Sequence, residues 1–429
     1  MFLIVCLLMV VIFLGMPVAF CIIGCSVLYS AFSDMDLIFL PQQMVDGVNI
    51  FPLVAVPVFI FMGSFLVRIK AIDSLLELSK AMIGQVNGNL AYVNILGGTF
   101  FAGVQGTALA DTAAIGSIFI PTMKKDGYPP SLAAAVTAAS SVAGPIVPPS
   151  VFMIILGAIA NISVGRLFLG GFIPGAVMTI FLMVVAYLML RMRKDDITTS
   201  IQPFSAIRLW SAALRSLPIL FVPVLIVGGI VGGVFTATEC ASIGAFYSLL
   251  LSLFGLGVER FSLKVLRESL EEVVTTLGSV MLIVAVSVAF GWILNAFKAT
   301  DVLVNFFLNV SSNPHVTLLV ISLIVLLLGC FIDPMALLLM LGGTLANVTG
   351  QLGIDPIHFG LVFVLTLSMA VVTPPVGSCM YVSMSIAKIS TQEYSKAIWP
   401  FLVGLFLSLL VIIFIPKVVL WLPNLLMKT

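Results

Sequence analysis

Val371-Val372-Thr373-Pro374-Pro375-Val376-Gly377 interrupts an otherwise apolar stretch over 357–387. A second Pro-Pro interruption, its prolines 226 positions earlier, is made by Ala143-Gly144-Pro145-Ile146-Val147-Pro148-Pro149-Ser150 within 131–161. Proline has no amide donor and its ring clashes with the preceding turn, so a Pro-Pro pair stops a helix and frees carbonyls. At membrane depth such backbone survives only where it is buried in protein or lines a wet cavity. Outward from the prolines, the offset of 226 also joins Gly103, Gly116, Gly127, Pro130 and Pro174 to Gly329, Gly342, Gly353, Pro356 and Pro400. Further upstream, Lys70-Ala71 and Asp73 match Lys298-Ala299 and Asp301 at an offset of 228. A register kept over that many positions indicates an internal duplication, as in transporters built from two repeats.

The composition places these interruptions in a bilayer. Of 429 residues, 61% are hydrophobic and 9% charged, against about 25% charged in ordinary soluble domains. A soluble protein is excluded, and a net charge of +1 gives no reason to expect a nucleic-acid partner. Cys6, Cys21, Cys25, Cys240, Cys330 and Cys379 lie in apolar stretches without C-x-x-C spacing, and read as small buried hydrophobes rather than a disulfide framework or zinc site. The first apolar run continues to Phe32 without a basic start, which reads as a retained span rather than a cleaved signal peptide.

Simple spans are expected at 2–31, 50–67, 166–190, 215–232, 237–257, 273–297 and 396–420, the first tilted, kinked or broken at Gly15-Met16-Pro17. Four segments differ by being interrupted at mid-length. Two, 89–122 and 316–348, read as re-entrant hairpins, because limbs of about 15 residues at ~1.5 Å each fall short of a ~30 Å hydrocarbon core. The other two, 131–161 and 357–387, read as broken spans. Full spanning by every hairpin limb would give the same loop sides. With hairpins, all basic residues except Arg166, Lys298, Lys417 and Lys428 fall on one face, which the positive-inside rule makes cytoplasmic. The first hairpin then opens to the cytoplasm and the second to the outside, so the repeats are inverted. Segments 70–85 and 300–311 mix charge with apolar residues and read either as surface-lying arm helices or as tails of the preceding spans. The expectation is an all-α polytopic membrane protein with an inverted structural repeat, two re-entrant helical hairpins and two broken transmembrane helices. Its units are 1–85 (scaffold with arm), 86–195 (first half of a transport core), 196–311 (scaffold with second arm) and 312–429 (second half of the core).

Apart from Arg166, Arg215, Lys396 and Lys417 at span ends, only Asp111, Glu239 and Asp333 bring charge into these segments, and a carboxylate at mid-membrane costs roughly 2.5–3.5 kcal/mol on insertion scales. The first hairpin turns at Gly103-Val104-Gln105-Gly106-Thr107, and Asp111 follows in the first turn of the return limb, where it serves either a site or a helix cap. The second turns at Gly329-Cys330-Phe331-Ile332-Asp333-Pro334. Sodium suits a cage of carbonyls with one hydroxyl or carboxylate, so two quasi-symmetric sodium sites are expected, one between each hairpin tip and its partner break. Glu239 in Thr236-Ala237-Thr238-Glu239 reads as a helix cap, and His315 and His358 carry no assigned role. No nucleophile–base pair and no nucleotide-binding loop is present.

At these residues the chain resembles the large membrane subunit of tripartite ATP-independent periplasmic (TRAP) transporters, the DctM-like family. The resemblance is carried by Ala108-Leu-Ala-Asp-Thr-Ala-Ala-Ile-Gly116, Ile120-Pro121 through Gly127-Tyr128, Pro148-Pro149-Ser150, Gly353-Ile-Asp-Pro-Ile-His-Phe-Gly360 and Thr373-Pro-Pro-Val-Gly377. It implies a multi-pass protein of the bacterial inner membrane and sodium-coupled uptake of an organic anion by an elevator motion of the core against a fixed scaffold. It also implies a small transmembrane subunit and a periplasmic substrate-binding protein as partners. The candidate set for one sodium is Gly103, Gln105, Gly106, Thr107, Gly144, Val147 and Pro148; for the other, Gly329, Ile332, Asp333, Val372, Thr373 and Pro374. Thr107, Asp111, Ser150, Asp333 and Thr373 are the substrate candidates. No cofactor besides the coupling sodium is expected. Two departures stand out: the family's Ser-Gly-Ser tip is here Gln105-Gly106-Thr107, and its proline-rich second hairpin end is Gly342-Gly343-Thr344 with Asn347.

Two other functions compete. A self-sufficient sodium–anion symporter of the same architecture would need no binding protein. An intramembrane aspartyl protease would need Asp111 and Asp333 to converge, but its G-x-G-D context is absent and position 337, the repeat partner of Asp111, is a leucine. The anion itself, among C4-dicarboxylates, sialic acids and sugar acids, is not encoded in this chain's motifs.

Overall fold

The computed structural model describes residues 10–11, 16–33, 36–86, 88–192, 203–296, 299–311 and 313–427. Most of the stretch 1–15, and with it Gly15 of the expected kink, lies outside the described residues, as do Arg193, Lys194, Lys298 and Lys428. Among the described residues all regular structure is helical.

The chain opens with α1 (Val18–Phe32) and α2 (Phe39–Val48), then α3 (Ala55–Arg68), which a short 3-10 turn at Phe51–Val54 precedes. The arm α4 (Ala71–Ile83) follows, then α5 (Asn89–Gln105) and α6 (Ala108–Lys125), the limbs of the first hairpin. The first broken span is α7 (Pro130–Ser141) and α8 (Val151–Ala160). Next come α9 (Val164–Met192), α10 (Ala206–Val231), α11 (Ala237–Phe254), α12 (Leu263–Ala296) and the second arm α13 (Ala299–Val310). The second hairpin is α14 (Pro314–Gly329) and α15 (Pro334–Gln351), and the second broken span α16 (Pro356–Ala370) and α17 (Ser378–Ala387). The chain closes with α18 (Thr391–Phe414) and α19 (Lys417–Leu426).

Six simple spans therefore exist as long apolar helices, 51–68, 164–192, 206–231, 237–254, 263–293 and 391–414. The seventh, 2–31, is described mainly as α1, whose 15 residues cover only about 23 Å at ~1.5 Å each. Several boundaries differ from those read in sequence. α10 begins at Ala206 rather than near 215 because the Ser205 hydroxyl caps the Arg208 amide, so polar residues extend the helix beyond its apolar run. α12 likewise begins at Leu263 instead of 273, its first turns carried by i,i+4 pairs such as Arg267–Glu271. The last span stops at Phe414, with Pro416 separating it from α19. α2 went unpredicted because its Pro41, Gln42, Gln43 and Asp46 break the apolar pattern.

The segment 70–85 is a separate helix rather than a tail, and 300–311 is helical as α13, its junction with the preceding α12 lying outside the described residues. Lys70 adopts a left-handed conformation (φ 56°) at the start of α4, and α13 meets α14 at 113°. α4 is fastened to the scaffold by Ser216 Oγ donating to Ser74 O (2.7 Å) and by Ser74 Oγ donating to Gly257 O (2.6 Å). A Lys70–Glu259 ion pair adds to this. Glu259's carboxylate holds the Lys70 ammonium above its ordinary pKa. Arg68 at the end of α3 bridges Glu268 (2.8 Å) and Glu272 (3.0 Å) of α12, and Ser64 donates to the same Glu272.

The packing sorts these helices into two groups. α1, α2 and α3 lie against α12, and α3 also lies against α11. The hairpins and broken spans pack on one another and, through α5 on the arm α4 and α15 on α12, on the rest of the bundle, and they cross over between halves: α6 lies on α17, and α15 lies on α8. The return limb of each hairpin thus contacts the far half of the opposite broken span. Within the first half, Asn94 of α5 donates to Thr137 Oγ1 (2.8 Å) and accepts from Ser140 Oγ (3.1 Å), both on α7. Such a satisfied buried network fixes the hairpin on its neighbour. In the second half, His315 donates to Ile413 O (2.7 Å) and His358 to Ile412 O (2.9 Å). These two histidines pin the starts of α14 and α16 to the end of α18, a structural role that the sequence did not assign.

Candidate functional site

The first tip is made by two residues. α5 ends at Gly106, whose φ of 76° is open to glycine at little cost, and Thr107 is the extended N-cap of α6 without using its side chain for capping. The break between α7 and α8 closes on this tip. Val151 N donates to Gly106 O (3.4 Å). A Cβ at Gly106 would stand 2.5 Å from Pro149 O, and one at Gly103 would stand 3.6 Å from Pro148 O. A Cβ at Gly144 would stand 2.6 Å from Asp111 Oδ2, 2.8 Å from Thr107 C and 3.0 Å from Ala108 N. Glycine at these positions is what lets tip and break touch through backbone. Both Pro148–Pro149 and Pro374–Pro375 are cis.

Asp111 sits at the centre of this contact, fully buried, and neither carboxylate oxygen has a hydrogen-bond partner among the described residues. The capping alternative is thereby corrected. Asp111 is one turn inside α6, its own amide bonded to Thr107 O (3.2 Å), and its side chain lies against Gly144 and makes no capping hydrogen bond. A lone buried carboxylate is costly unless a cation or a proton accompanies it.

The remaining first-site candidates distribute as follows. Val147 touches the tip beside Gly103 and packs against Gly175. The Gln105 side chain lies against Gly63 of α3, and its Oε1 is buried without a partner among the described residues. Ser150 donates to Pro145 O (2.6 Å) and accepts from Met153 N, capping α8; its hydroxyl thus serves the break's own geometry.

The second tip has a longer connection, Cys330–Asp333, and a different cap. Asp333 occupies the position of Thr107 in the repeat and, unlike it, uses its carboxylate to accept from Met335 N (2.9 Å) and Ala336 N (3.2 Å) at the start of α15. A Cβ at Gly329 would stand 2.4 Å from Ala370 Cβ, so this tip and break also meet where one side is glycine. Thr373 Oγ1 donates to Met369 O (2.7 Å), leaving its lone pairs available. Ile332 is buried, while Pro374 is half-buried and Pro375 and Val376 are exposed. The first break, by contrast, is buried throughout apart from a half-buried Val147.

Three residues escaped sequence reasoning. Tyr394 of α18 donates to Val372 O (3.1 Å) and Tyr381 of α17 donates to Pro375 O (3.0 Å), each occupying a backbone carbonyl of the break. Cys379 is buried in α17, the helix that packs on α6. Tyrosine hydroxyls placed shortly after a proline break were the available signal. Glu239 forms a capping box with Thr236 at the start of α11, as its spacing suggested.

Four helix N-termini converge on these tips and breaks. Those of α15 and α8 are capped by Asp333 and Ser150; those of α6 and α17, which pack together, have no side-chain cap. Uncapped N-terminal amides are anion-seeking. No group of three or more His, Cys, Asp or Glu suited to a metal occurs among the described residues.

Residues 5–418 match the family described as the tripartite ATP-independent periplasmic transporter, DctM component. The chain is 36% identical, over 96% of each sequence, to the sialic acid TRAP transporter large permease protein SiaM of Vibrio cholerae. It is 32% identical to the C4-dicarboxylate TRAP transporter large permease protein DctM of Pseudomonas aeruginosa, over 87% of this chain and 86% of that one. Among solved structures, the fold is similar to that of the Alcanivorax borkumensis YdaH transporter, with a TM-score of 0.64, 13% identity and 90% of each chain covered.

Proposed function

The chain belongs to the DctM-component family of tripartite ATP-independent periplasmic transporters, is a multi-pass protein of the bacterial inner membrane and transports organic acids rather than catalysing a reaction; from that premise we propose that its transport is sodium-coupled. The observation that carries this reading is the Asp111 carboxylate, buried against Gly144 at the contact of tip and break with no hydrogen-bond partner among the described residues. Beside it, α6 and α17 offer two uncapped N-termini to an anion. An anionic substrate brought near an unpartnered carboxylate is repelled unless a cation enters with it. Sodium held by the carbonyls of Pro148 and Pro149, the Thr107 hydroxyl and Asp111 would supply that charge. At the second tip, Asp333 and Thr373 provide the corresponding oxygens.

The same reading assigns the inverted repeat a mechanical role. The hairpins and broken spans, joined crosswise by α6 on α17 and α15 on α8, are the moving core of an elevator; α1–α3 with α11 and α12 belong to the fixed scaffold. The relatives' names support a small organic acid as cargo, since they specify sialic acid, C4-dicarboxylate and, in an Escherichia coli relative, 2,3-diketo-L-gulonate. A small membrane subunit and a periplasmic binding protein are the partners that the tripartite family implies. The test is uptake into proteoliposomes by the chain with its small subunit, with and without the binding protein and a sodium gradient, over a panel of organic acids. Uptake that requires both supports the proposal. Uptake indifferent to sodium refutes the coupling, and uptake without the binding protein favours a self-sufficient symporter.

A further inference from the structure

Away from the tips and breaks, a cavity of about 560 Å³ lies between the arm α4 and the first turns of α10. Its polar lining among the described residues is Glu77, Lys80, Ser205, Arg208, Ser211 and Arg215, which places three basic side chains on one cavity. Glu77 and Arg215 are 3.6 Å apart, a loose and exposed pair. The floor is firm, because Leu78 and Ala81 of α4 pack on Ala212 of α10 and Ser216 bonds to Ser74 O. The basic residues here lie on the face that the positive-inside rule places in the cytoplasm.

The same helix supplies a second, independent feature. Ile207, Trp210, Leu214, Leu217 and Phe221 are all exposed, and their alternating spacing of three and four residues aligns them in one stripe along α10. That stripe starts at the cavity and runs into the apolar length of the span. A basic pocket at the membrane surface continuous with an apolar track has the shape of a phospholipid: phosphate in the pocket, acyl chain along the stripe. Trp210 sits near the join, where an amphipathic ring is favoured at the headgroup level.

We propose that this cavity binds the phosphate of an anionic membrane phospholipid, with Lys80, Arg208 and Arg215 on the headgroup and an acyl chain on the α10 stripe. Basic pockets between helices on the cytoplasmic side are where such headgroups bind. A soluble phosphate shares the headgroup's chemistry but would leave the stripe unused. Because Glu77 and Lys80 of the arm line the cavity together with residues from Ser205 to Arg215, a bound lipid would also brace α4 against the scaffold.

The experiment uses the full chain in detergent, titrated with phosphatidylglycerol, phosphatidylcholine or inorganic phosphate and read by native mass spectrometry and thermal melting. The expected result is at least tenfold tighter binding of phosphatidylglycerol than of phosphatidylcholine, with a rise in melting temperature that phosphate does not reproduce. Arg208→Gln with Arg215→Gln should reduce that preference to less than threefold, and Arg208→Lys with Arg215→Lys should retain most of it. The lysine pair keeps the charge, so its retention separates lost headgroup binding from a misfolded arm. Equal binding of the two lipids, a preference unchanged in the glutamine pair, or stabilisation by phosphate equal to that by lipid would overturn the proposal. So would displacement of the lipid by the small membrane subunit in the assembled complex, which would assign this surface to that subunit.

Discussion

Gly329→Ala tests the contact of tip and break where the geometry is sharpest. The added methyl would stand 2.4 Å from Ala370 Cβ, whereas unstrained carbon atoms sit about 3.5–4.0 Å apart. Tip and break must therefore separate by more than 1 Å, at an overpacking cost of roughly 1–3 kcal/mol. If that cost falls on the closed, ion-holding arrangement, it raises the sodium concentration for half-maximal uptake by about 5- to 150-fold. The assay is uptake into proteoliposomes over a sodium series, with a thermal melt to report on folding. The second variant is the stricter one. Adding Ala370→Gly to Gly329→Ala moves the space from one side of the contact to the other and should bring sodium dependence back to within about threefold of wild type. Coupling of that kind is what residues in direct contact show in a double-mutant cycle. A single variant indistinguishable from wild type, or a pair whose effects simply add, would refute the close contact as the origin of ion binding.

Three further outcomes are expected. Gly106→Ala meets both a left-handed backbone, worth roughly 1–2 kcal/mol, and Pro149 O at 2.5 Å; uptake should fall at least tenfold, while Gly228→Ala, with open space around it, should leave it unchanged. Asp111→Asn removes a lone buried charge, so melting temperature without sodium should rise and its sodium-dependent increment should vanish; a lower melting temperature with the increment intact would show the carboxylate to be purely structural. Arg68→Gln severs half-exposed ion pairs to Glu268 and Glu272, each worth at most about 1 kcal/mol after screening, so a loss of a few degrees in melting temperature is expected, diminished in high salt.

Much of this architecture was legible because helices in lipid obey local rules. A run of apolar residues must be helical to satisfy its own backbone, and a Pro-Pro pair must break it, so the six long spans, both hairpins and both breaks could be placed from residue types alone. Boundaries in polar segments were less legible. Nothing apolar marks the start of α10 or α12, where Ser205 and paired charges extend the helices, and α2 has no periodic pattern to find. At the site, the tips and breaks were readable as motifs, whereas the states of individual side chains were not. Thr107 and Asp333 occupy equivalent repeat positions, yet one leaves its helix uncapped and the other caps it.

What the sequence determined by itself was the inventory: an all-helical membrane chain, its Gly and Pro motifs recurring at a fixed offset, with charge so scarce inside it that Asp111 and Asp333 mark the two hairpins. Tertiary structure alone decided which groups meet. Asp111 lies against Gly144 of the break, Tyr394 reaches the Val372 carbonyl, and the return limb of each hairpin crosses to the other half's broken span. The physical reason is range. Helix propensity and backbone satisfaction act within a few residues and can be read along the chain. The partner of a buried carboxylate or a freed carbonyl depends on close packing between elements up to hundreds of positions apart, and a change of one methyl group at Gly144 or Gly329 would alter it.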